Sequence, residues 1–553
     1  MKKLSLLLIS NLLFFISSMG QAPSWLWAVA AKGSTSDVVL GVKTDPFGNF
    51  LSTGYFTSQT LTIGSITLDR IGGQTIFIIK YDPNGKVIWA KTAGGSQYDR
   101  GNAIATDNKG NVYITGEFSS ATISFGSISI NNSGSSGKDI FVAKYDPSGN
   151  LLWVKGAGGS SSEEGYGIAT DLNGNVFATG RFASFSAKFG GTTLSNSGST
   201  TDFFLAKYDS LGNTLWAKSA GGTLNDGGFG LVTDVNGNAY IAGTFFSPTI
   251  SFGSTTFTNA GVVDHFVVKY DGSGNVLWAK SAGGTTNDFG TGIALEPNGG
   301  VYVTGQFTSP KISFGGTTLT NQGVGDIFVT KYDASGTVLW AKGIGGKLED
   351  YGRAITSDPA GNVYITGNFY SNTIDFGTTT LTNAGVTDIF VAKLDSSGAM
   401  LWATSVGDSM HEFAYGITTD AQNNPVIVGA FFGRNLKVGN DNLKNNSYFF
   451  QGYSIFIAKL SNAASKINLL ESSDLFISPN PSKGSFVFNC SDVLISTPTT
   501  LEIVNTLGET IYTQTVSHRQ EIVNHTELIP GMYFVRVINN QYHACLKLLI
   551  VQE

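Results

Sequence analysis

Seven tryptophans recur along the chain at intervals of 62 to 64 residues, and this period constrains the fold more than any local motif. An acidic residue follows each of them ten positions later. The tryptophans are Trp27, Trp89, Trp153, Trp216, Trp278, Trp340 and Trp402. A repeated unit that cannot bury its own apolar faces must stack against copies of itself. The chain is therefore predicted to be a repeat array.

Each unit contains four short segments that favour β-strands. In the sixth unit they are Leu-Trp-Ala-Lys at 339–342, Ala-Ile-Thr at 354–356, Gly-Asn-Val-Tyr-Ile-Thr-Gly at 361–367 and Asp-Ile-Phe-Val-Ala-Lys at 388–393. Such β-branched and aromatic runs, separated by Gly, Asn and Asp, are typical of strands and turns. No sustained helical period follows the first twenty residues. The predicted fold class is all-β.

The count of strands predicts a closed ring of seven blades. The third-strand run is apolar at successive positions, so both faces of its sheet should be covered, as in a β-propeller. It begins at Ile76, Ile140, Phe203, His265, Ile327, Ile389 and Ile455. The Leu-Trp-Ala-Lys strand, by contrast, occurs once before the first unit and never after the seventh. We therefore expect residues 25–31 to supply the outer strand of the blade that ends at Leu460, which gives seven blades over residues 21–461.

The repeated motif Gly-Ile-Ala-Thr-Asp-x-x-Gly-Asn-Val-Tyr-Ile-Thr-Gly resembles the bacterial β-propeller repeats called SBBP repeats. This resemblance covers about four fifths of the chain and implies a seven-bladed propeller. It implies little about activity, because propellers host enzymes, binders and scaffolds. Blades one and seven depart from the pattern before their third strand, where Thr75 and Ser454 stand in place of Asp.

Composition and the first twenty residues predict an exported protein. The net charge is −6 and only 13% of the residues are charged, so the chain lacks the basic footprint of a nucleic-acid-binding protein. Residues 1–20 combine Lys2 and Lys3 with an apolar stretch and small residues, which is the pattern of a secretory signal peptide. No later segment approaches about 20 apolar residues, so we expect no transmembrane segment in the mature protein.

The repeat stops after Leu460, and a different domain is predicted beyond a linker at 462–473. Residues 474–553 contain Pro-Asn-Pro-x-x-Gly at 479–484, Leu-Glu-Ile-Val-Asn-Thr-Leu-Gly at 501–508 and Pro-Gly-Met-Tyr-Phe-Val-Arg-Val at 530–537. These motifs resemble the type A C-terminal sorting domain of the Bacteroidota type IX secretion system, a small β-sandwich. An immunoglobulin-like accessory domain is the alternative.

The resemblance to the sorting domain implies a route and a partner. The secretion machinery would read this domain, and the propeller would be secreted or attached to the outer cell surface. The residues that carry the signal are Pro479, Asn480, Pro481, Gly484, Gly508, Gly531, Tyr533 and Lys547. Cys490 and Cys545 lie in the same domain, and a disulfide between them is chemically possible after export.

Two repeated residue series are candidates for roles beyond the strands themselves. The acidic residues after each tryptophan would lie between the outer strand of one blade and the inner strand of the next. They are Asp37, Asp99, Glu163, Asp226, Asp288, Asp350 and Glu412. A ring of carboxylates could hold Ca²⁺, or each could cap backbone N–H groups where the chain enters a blade. The third-strand lysines, such as Lys80, are expected to form inter-blade ion pairs or margin contacts.

The sequence favours binding over catalysis. It shows no Ser, His and Asp set, no metal-spaced His/Cys cluster and no phosphate-binding glycine loop. No cofactor is expected apart from the candidate Ca²⁺. We therefore interpret the protein as a secreted or surface module that binds an extracellular glycan or protein. The alternatives are a hydrolase or lyase that acts on polysaccharide through irregular loops, and a purely structural surface component.

Overall fold

The computed structural model describes residues 23–377, 379–447, 452–462, 468–469, 475–490, 499–505, 509–524, 527–538 and 542–551. The predicted signal peptide lies outside this part of the chain, as does most of the predicted linker. The chain divides into two compact units, Met1–Asn462 and Ala463–Glu553.

The first unit consists of seven four-stranded antiparallel sheets, the blades, which are numbered 1 to 7 along the chain. The inner strands are Asp37–Thr44, Asp99–Thr106, Glu163–Thr170, Asp226–Thr233, Asp288–Leu295, Asp350–Ser357 and Glu412–Thr419. The second strands are Phe50–Phe56, Val112–Phe118, Val176–Phe182, Ala239–Phe245, Val301–Phe307, Val363–Phe369 and Pro425–Phe431. The third strands are Thr75–Tyr81, Asp139–Tyr145, Asp202–Tyr208, Asp264–Tyr270, Asp326–Tyr332, Asp388–Leu394 and Ser454–Leu460.

The outer strands show how the ring closes. Six of them follow their own third strand: Val87–Ala93, Leu151–Ala157, Thr214–Ala220, Val276–Ala282, Val338–Ile344 and Met400–Val406. The outer strand of blade 7 is Trp25–Ala30, which pairs antiparallel with Ser454–Leu460. The two ends of the array therefore share one sheet, and the prediction of a seven-bladed propeller closed by both ends is confirmed.

Every blade carries a two-stranded hairpin between its second and third strands. The hairpins are Thr60–Ile63 with Ile66–Asp69, Thr122–Phe125 with Ile128–Asn131, Ser186–Phe189 with Thr192–Ser195, Thr249–Phe252 with Thr255–Thr258, Lys311–Phe314 with Thr317–Thr320, Thr373–Asp375 with Thr380–Thr382, and Asn435–Val438 with Asp441–Lys444. The end of the ring that bears them is called the hairpin face. The opposite end, where short turns join the strands, is called the turn face.

The core lies between the blades rather than inside one sheet. The third strands of six blades are buried at all seven positions, and that of blade 4 at six. Both faces of each sheet are therefore covered by neighbouring blades, which explains why these strands are apolar at successive residues. Burying one such aliphatic or aromatic side chain stabilises the fold by about 1.5–3 kcal/mol.

Trp89 and Lys80 join blade 1 to blade 2 through one carbonyl group. Trp89 Nε1 and Lys80 Nζ both donate to the carbonyl oxygen of Pro147, at 3.1 and 3.2 Å. Lys80 also pairs with Asp45 of its own blade at 2.9 Å. The expectation of an inter-blade ion pair is thus wrong for Lys80: the ion pair lies within the blade, and the inter-blade contact is a hydrogen bond to a carbonyl.

Blade 7 interrupts this inter-blade pattern, because its outer strand comes from the start of the array and no turn follows its third strand. Trp402 Nε1 consequently has no hydrogen-bond partner among the described residues. Asn462 takes the place of the missing turn, since its Oδ1 accepts from Lys393 Nζ at 2.8 Å and from the Tyr364 hydroxyl at 2.7 Å.

The second unit is a small all-β domain of two sheets. The five-stranded sheet contains Asn468–Leu469, Tyr542–Ile550, Gly531–Ile538, Thr499–Val504 and Thr510–Val516, in that order. The three-stranded sheet contains Leu475–Ser478, Ser485–Cys490 and Gln520–Asn524. Phe486 and Phe488 of the second sheet are buried in one cluster with Leu501 and Val535 of the first. Across the described residues of both units, no helix is long and apolar enough to span a membrane.

Candidate functional site

The seven acidic residues that follow the tryptophans each begin an inner strand at the hairpin face. Asp226 is 2% exposed and the other six are 0% exposed. In blade 2, Asp99 Oδ2 accepts from the backbone N–H of Gly95 at 2.7 Å and from the Ser120 hydroxyl at 2.8 Å. Gly95 lies in the loop that enters the blade, and Ser120 follows the second strand. The carboxylate therefore fastens both segments to the first residue of the inner strand.

The same carboxylates are not gathered into one ligand set. Both carboxylate oxygens of Asp37, Asp99, Glu163, Asp226, Asp288 and Asp350 accept hydrogen bonds from their own loops, so their lone pairs are largely engaged. In Glu412 only Oε2 does so, and Oε1 has no partner among the described residues. Within the described residues, no group of three or more His, Cys, Asp or Glu side chains is placed to hold a metal ion. Burial raises the pKa of Asp37 and of Asp226 to about 6. Burial, together with the charge of Asp408, raises the pKa of Glu412 to about 9.

A second series of buried acids begins the third strands of blades 2 to 6, and sequence reasoning gave it no role. One carboxylate oxygen, Oδ1, of each has no hydrogen-bond partner among the described residues. The five residues are Asp139, Asp202, Asp264, Asp326 and Asp388. A Cβ added to Gly158 would lie 2.1 Å from Asp139 Oδ1, so this oxygen packs directly against the glycine backbone. Lack of space at this contact explains why a glycine recurs in the loop that enters the next blade.

Each inner strand contains a β-bulge that leaves one side chain outside the ladder. In blade 2, Gly101 pairs with Gly116 and Ala103 pairs with Thr115, so Asn102 between them has no partner residue. The bulge residues of blades 1 to 7 are Leu40, Asn102, Tyr166, Phe229, Thr291, Arg353 and Tyr415. Bulges commonly re-aim a side chain next to a functional site.

All seven bulge residues line one cavity of 540 Å³ on the axis of the ring. They are the fourth of the eight residues of each inner strand, and they form the end of the cavity that points to the hairpin face, called its mouth. The other end reaches the last inner-strand residues at the turn face, such as Thr106 and Thr170. Lys43 and its counterparts in blades 2 to 6 line the cavity closer to the turn face. In the sequence, the bulge position can be recognised three residues after the repeated acid. The residue there varies from blade to blade, and its two neighbours are mostly Gly or Ala. Sequence reasoning missed it because it concentrated on residues that repeat.

Blades 2 and 3 place a charged cluster at the mouth of this cavity. Glu164 accepts from Lys138 Nζ at 2.6 Å and from Arg181 Nε at 2.7 Å. The Tyr166 hydroxyl donates to the same carboxylate. Burial opposes ionisation of Glu164, but these donors and the charge of Arg181 outweigh burial and lower its pKa to about 2. The cluster therefore sets two cations, Lys138 and Arg181, against one fully ionised carboxylate, and no such cluster is found in the described residues of the other blades.

Glu117 belongs to the same cluster but is more deeply buried. It lies 3.8 Å from Lys138 Nζ and also accepts from the amide of Asn102. Burial raises the pKa of Glu117 to about 7, against the charge of Lys138. The carboxyl is 3% exposed and does not line the cavity.

Blades 6 and 7 place aromatic rings and an arginine on the opposite side of the mouth. The guanidinium of Arg353 lies 4.5 Å from the ring centroid of Tyr351, and its Nε donates to Asn368 Oδ1 at 3.2 Å. The ring of Tyr415 lies 6.3 Å from that of Phe413. The mouth is thus divided into a charged half and an aromatic half, which is a departure from sevenfold symmetry.

In the second unit, several predicted sorting residues meet at one end of the sheet. Asn480 Oδ1 accepts from the backbone N–H of Leu549 at 2.9 Å, and Gly531 pairs with Ile550. The buried Tyr533 donates its hydroxyl to the carbonyl of Ile529 at 3.0 Å. Pro479 and Pro481 flank Asn480, and Gly484 precedes the strand Ser485–Cys490 with a φ of 96°.

The remaining predicted residues of this unit are only partly described. Gly508 lies outside the described residues, and for Lys547 and Cys545 only the strand position is described. Cys490 is buried and its Sγ lies 3.6 Å from the carbonyl oxygen of His518. The disulfide with Cys545 stays a prediction.

Comparison with known proteins supports both units. Residues 477–552 match the family described as the secretion system C-terminal sorting domain. Residues 88–117 match the family described as the β-propeller repeat, SBBP. The chain is made of SBBP-type β-propeller repeats and ends in a type IX sorting domain. The sorting domain shows that the protein is exported, either secreted or held at the outer surface.

Two curated proteins and one solved structure show distant similarity to the chain. The uncharacterized WD repeat-containing protein L264 of Acanthamoeba polyphaga mimivirus is 23% identical over 80% of this chain and 39% of its own. The regulatory protein FlaEY of Caulobacter vibrioides is 27% identical over 56% of this chain and 34% of its own. The chain thus spans well under half the length of either. The Neurospora crassa Pan2 WD40 domain aligns with a TM-score of 0.40 at 9% identity, over 80% of this chain and 97% of that domain.

Proposed function

We propose that the propeller is an extracellular binding module that takes a polysaccharide segment into its axial cavity through the mouth at the hairpin face. One observation carries the proposal. The bulge residues occupy equivalent places in seven blades, and they comprise six different residue types. The buried residue two positions later is aliphatic in every blade: Val42, Ile104, Ile168, Leu231, Ile293, Ile355 and Ile417.

This contrast separates a structural requirement from a functional one. Residues that hold blades together repeat, because every blade meets the same neighbours. Side chains that contact a ligand on the axis need not repeat, because a single ligand presents different groups to each blade. The cavity of 540 Å³ also lies within the range of about 300–1,000 Å³ that is usual for small-molecule sites.

The chemistry of the lining suits a sugar chain. Tyr166, Phe229 and Tyr415 supply partly exposed rings, which can stack on the C–H faces of sugar rings. Thr291 and Thr170 also line the cavity. Their hydroxyl groups donate to the carbonyl oxygens of Gly352 and Thr106, at 2.8 and 2.9 Å, and keep lone pairs that can accept a hydrogen bond from a ligand. Both kinds of group are needed to bind a molecule that is apolar on its ring faces and polar on its rim.

A hydrolase is the competing function, and the different pKa values of Glu117 and Glu164 are the observation that favours it. Paired carboxyl groups with separated pKa values are the arrangement that glycoside hydrolysis uses. Glu117, however, is buried away from the cavity, and the oxygens of Glu164 are occupied by Lys138, Arg181 and Tyr166. Neither carboxyl is placed to reach a substrate, so binding is the better-supported function.

Affinity electrophoresis of the full chain in gels that contain pectin, alginate, xylan or laminarin tests the proposal. We expect at least one polysaccharide to retard the protein. The variants Phe229→Thr and Tyr415→Thr should lose the retardation, and both copy the threonine that blade 5 carries at this position. The matched control is Phe47→Ala, which removes a 64% exposed aromatic side chain from the turn face. Unretarded wild type, or retardation that survives both mouth variants, would exclude the proposed site.

A further inference from the structure

We propose that the axial cavity selects an acidic saccharide, and that Arg353 at the mouth and Lys43 towards the turn face bind its carboxylate groups. This inference deepens the proposed binding function and rests on it. Aromatic rings and hydroxyl groups alone do not distinguish an acidic saccharide from a neutral one, whereas the two cations do.

The charge of the cavity is opposite to that of the protein. The chain carries a net charge of −6, yet the residues that line the cavity include two cations, Lys43 and Arg353, and no Asp or Glu. At the same end of the cavity, Lys138 and Arg181 both pair with Glu164. Lys43 and Arg353 are the two cations that line the cavity itself.

Neither cation of the channel has an acidic partner in the described part of the chain, where no carboxylate lies within 4.0 Å of either. Arg353 is oriented through its Nε, which donates to Asn368, and through its contact with the Tyr351 ring. Its two terminal nitrogens form no hydrogen bond to a described residue. An arginine held in this way can offer a bidentate contact to a carboxylate.

The fold does not require either cation. The residues equivalent to Lys43 in the other blades are Ala105, Ala169, Val232, Ala294, Thr356 and Thr418, as the strand registers show. The Lys43 side chain is exposed within the channel, and the surrounding protein lowers the pKa of its ammonium. It is therefore accessible to an anionic ligand that enters the cavity.

The two positions suit a ligand that extends along the axis. Arg353 is the fourth residue of its inner strand and Lys43 is the seventh residue of its own, so they lie at different depths. Both line the same cavity, together with Thr106, Thr170 and Ser357, whose hydroxyl groups donate to carbonyl oxygens of the neighbouring blades and can still accept from a ligand. A chain of uronate residues presents carboxylates at intervals and hydroxyl groups between them. An acidic peptide supplies the charge but not the hydroxyl groups.

Isothermal titration calorimetry of the full chain tests the selection. The acidic probes are trigalacturonate and trimannuronate, the neutral probe is galactotriose, and the peptide probe is triglutamate. We expect one acidic saccharide to bind about tenfold or more tightly than the neutral probe and the peptide, as charge-assisted hydrogen bonds imply. Raising the salt concentration should weaken that binding.

Two variants test the residues with little risk to the fold. Lys43→Ala and Arg353→Thr insert residues that other blades carry at the same positions, and each should raise the Kd of the acidic saccharide about tenfold or more. The control Lys86→Ala removes an exposed cation from the turn face and should change nothing. Thermal unfolding of each variant verifies that it is folded.

The outcomes separate this inference from the proposed function. If neutral and acidic saccharides bind equally, or if both charge variants bind as the wild type does, the selection of acid is wrong while the module can still bind sugar. If triglutamate binds tightest, the ligand is an acidic peptide and the saccharide assignment is overturned. If Phe229→Thr and Tyr415→Thr leave all binding intact, the site itself is misplaced.

Discussion

Replacing Glu412 by Gln should make the stability of the protein less dependent on pH, with a magnitude that follows from the burial of this carboxyl. Burial and the neighbouring Asp408 raise its pKa from 4.5 to about 9 in the folded protein. The folded state therefore holds a proton that the unfolded state releases above its ordinary pKa. The contribution of Glu412 to stability is complete below about pH 4.5 and is lost as the pH rises towards about 9.

The size of this effect is about 1.4 kcal/mol for each pH unit within that window. Between pH 6 and pH 8 the wild type should lose about 2.7 kcal/mol relative to Glu412→Gln, whose amide resembles the protonated acid. The hydrogen bond from the Asp408 N–H, 2.9 Å from Glu412 Oε2, can be kept by the amide oxygen. The other buried acids are common to both proteins and cancel in the difference.

Urea unfolding of the two proteins at pH 6, 7 and 8 measures the difference in unfolding free energy directly. The stability of Glu412→Gln should rise relative to the wild type with each step in pH. A difference that stays constant over the three values would refute the reasoning, because it would mean that Glu412 has the same pKa in the folded and unfolded states.

Two further predictions use matched positions within the repeat. Trp89→Phe should cost about 1 kcal/mol more than Trp402→Phe in urea unfolding, because only the Trp89 indole donates a hydrogen bond; equal losses would show that the indole bond contributes nothing. Gly158→Ala should destabilise the protein by about 1–3 kcal/mol, since its Cβ would meet Asp139 Oδ1 at 2.1 Å. Gly191→Ala, with no atom within 4 Å of its added Cβ, should be close to neutral, and a neutral Gly158→Ala would remove the packing explanation for that glycine.

Much of the fold could be predicted because it depends on patterns that repeat along the chain. The spacing of Trp89, Trp153 and their counterparts sets the number of blades, and the unmatched first strand implies the closure that pairs Trp25–Ala30 with Ser454–Leu460. The sorting domain could also be recognised from the sequence, because its motifs are local and occur in a fixed order.

The contacts of repeated side chains were harder to predict from the sequence. The repeat period alone does not show whether a carboxylate faces a channel or caps a loop. In the structure, Asp99 is fully buried and accepts hydrogen bonds from N–H and O–H donors. Lys80 likewise pairs with an acid of its own blade rather than one of the next. These partners depend on which loops come together in the folded ring. The alternation of side chains along a strand does not specify that.

The sequence by itself determined a closed ring of seven four-stranded blades followed by a sorting domain, because strand and turn preferences act locally and recur. Only the tertiary structure showed that the bulges direct seven side chains, of six residue types, to one axis. A bulge breaks the alternation of side chains along a strand, and that alternation is the basis for predicting which way a side chain faces. The tertiary structure also showed that Lys43 and Arg353, which are remote in sequence, line the same cavity. They share the cavity because the ring arranges blades 1 and 6 around one axis, and the facing of each side chain depends on the folded strand rather than on the repeat pattern.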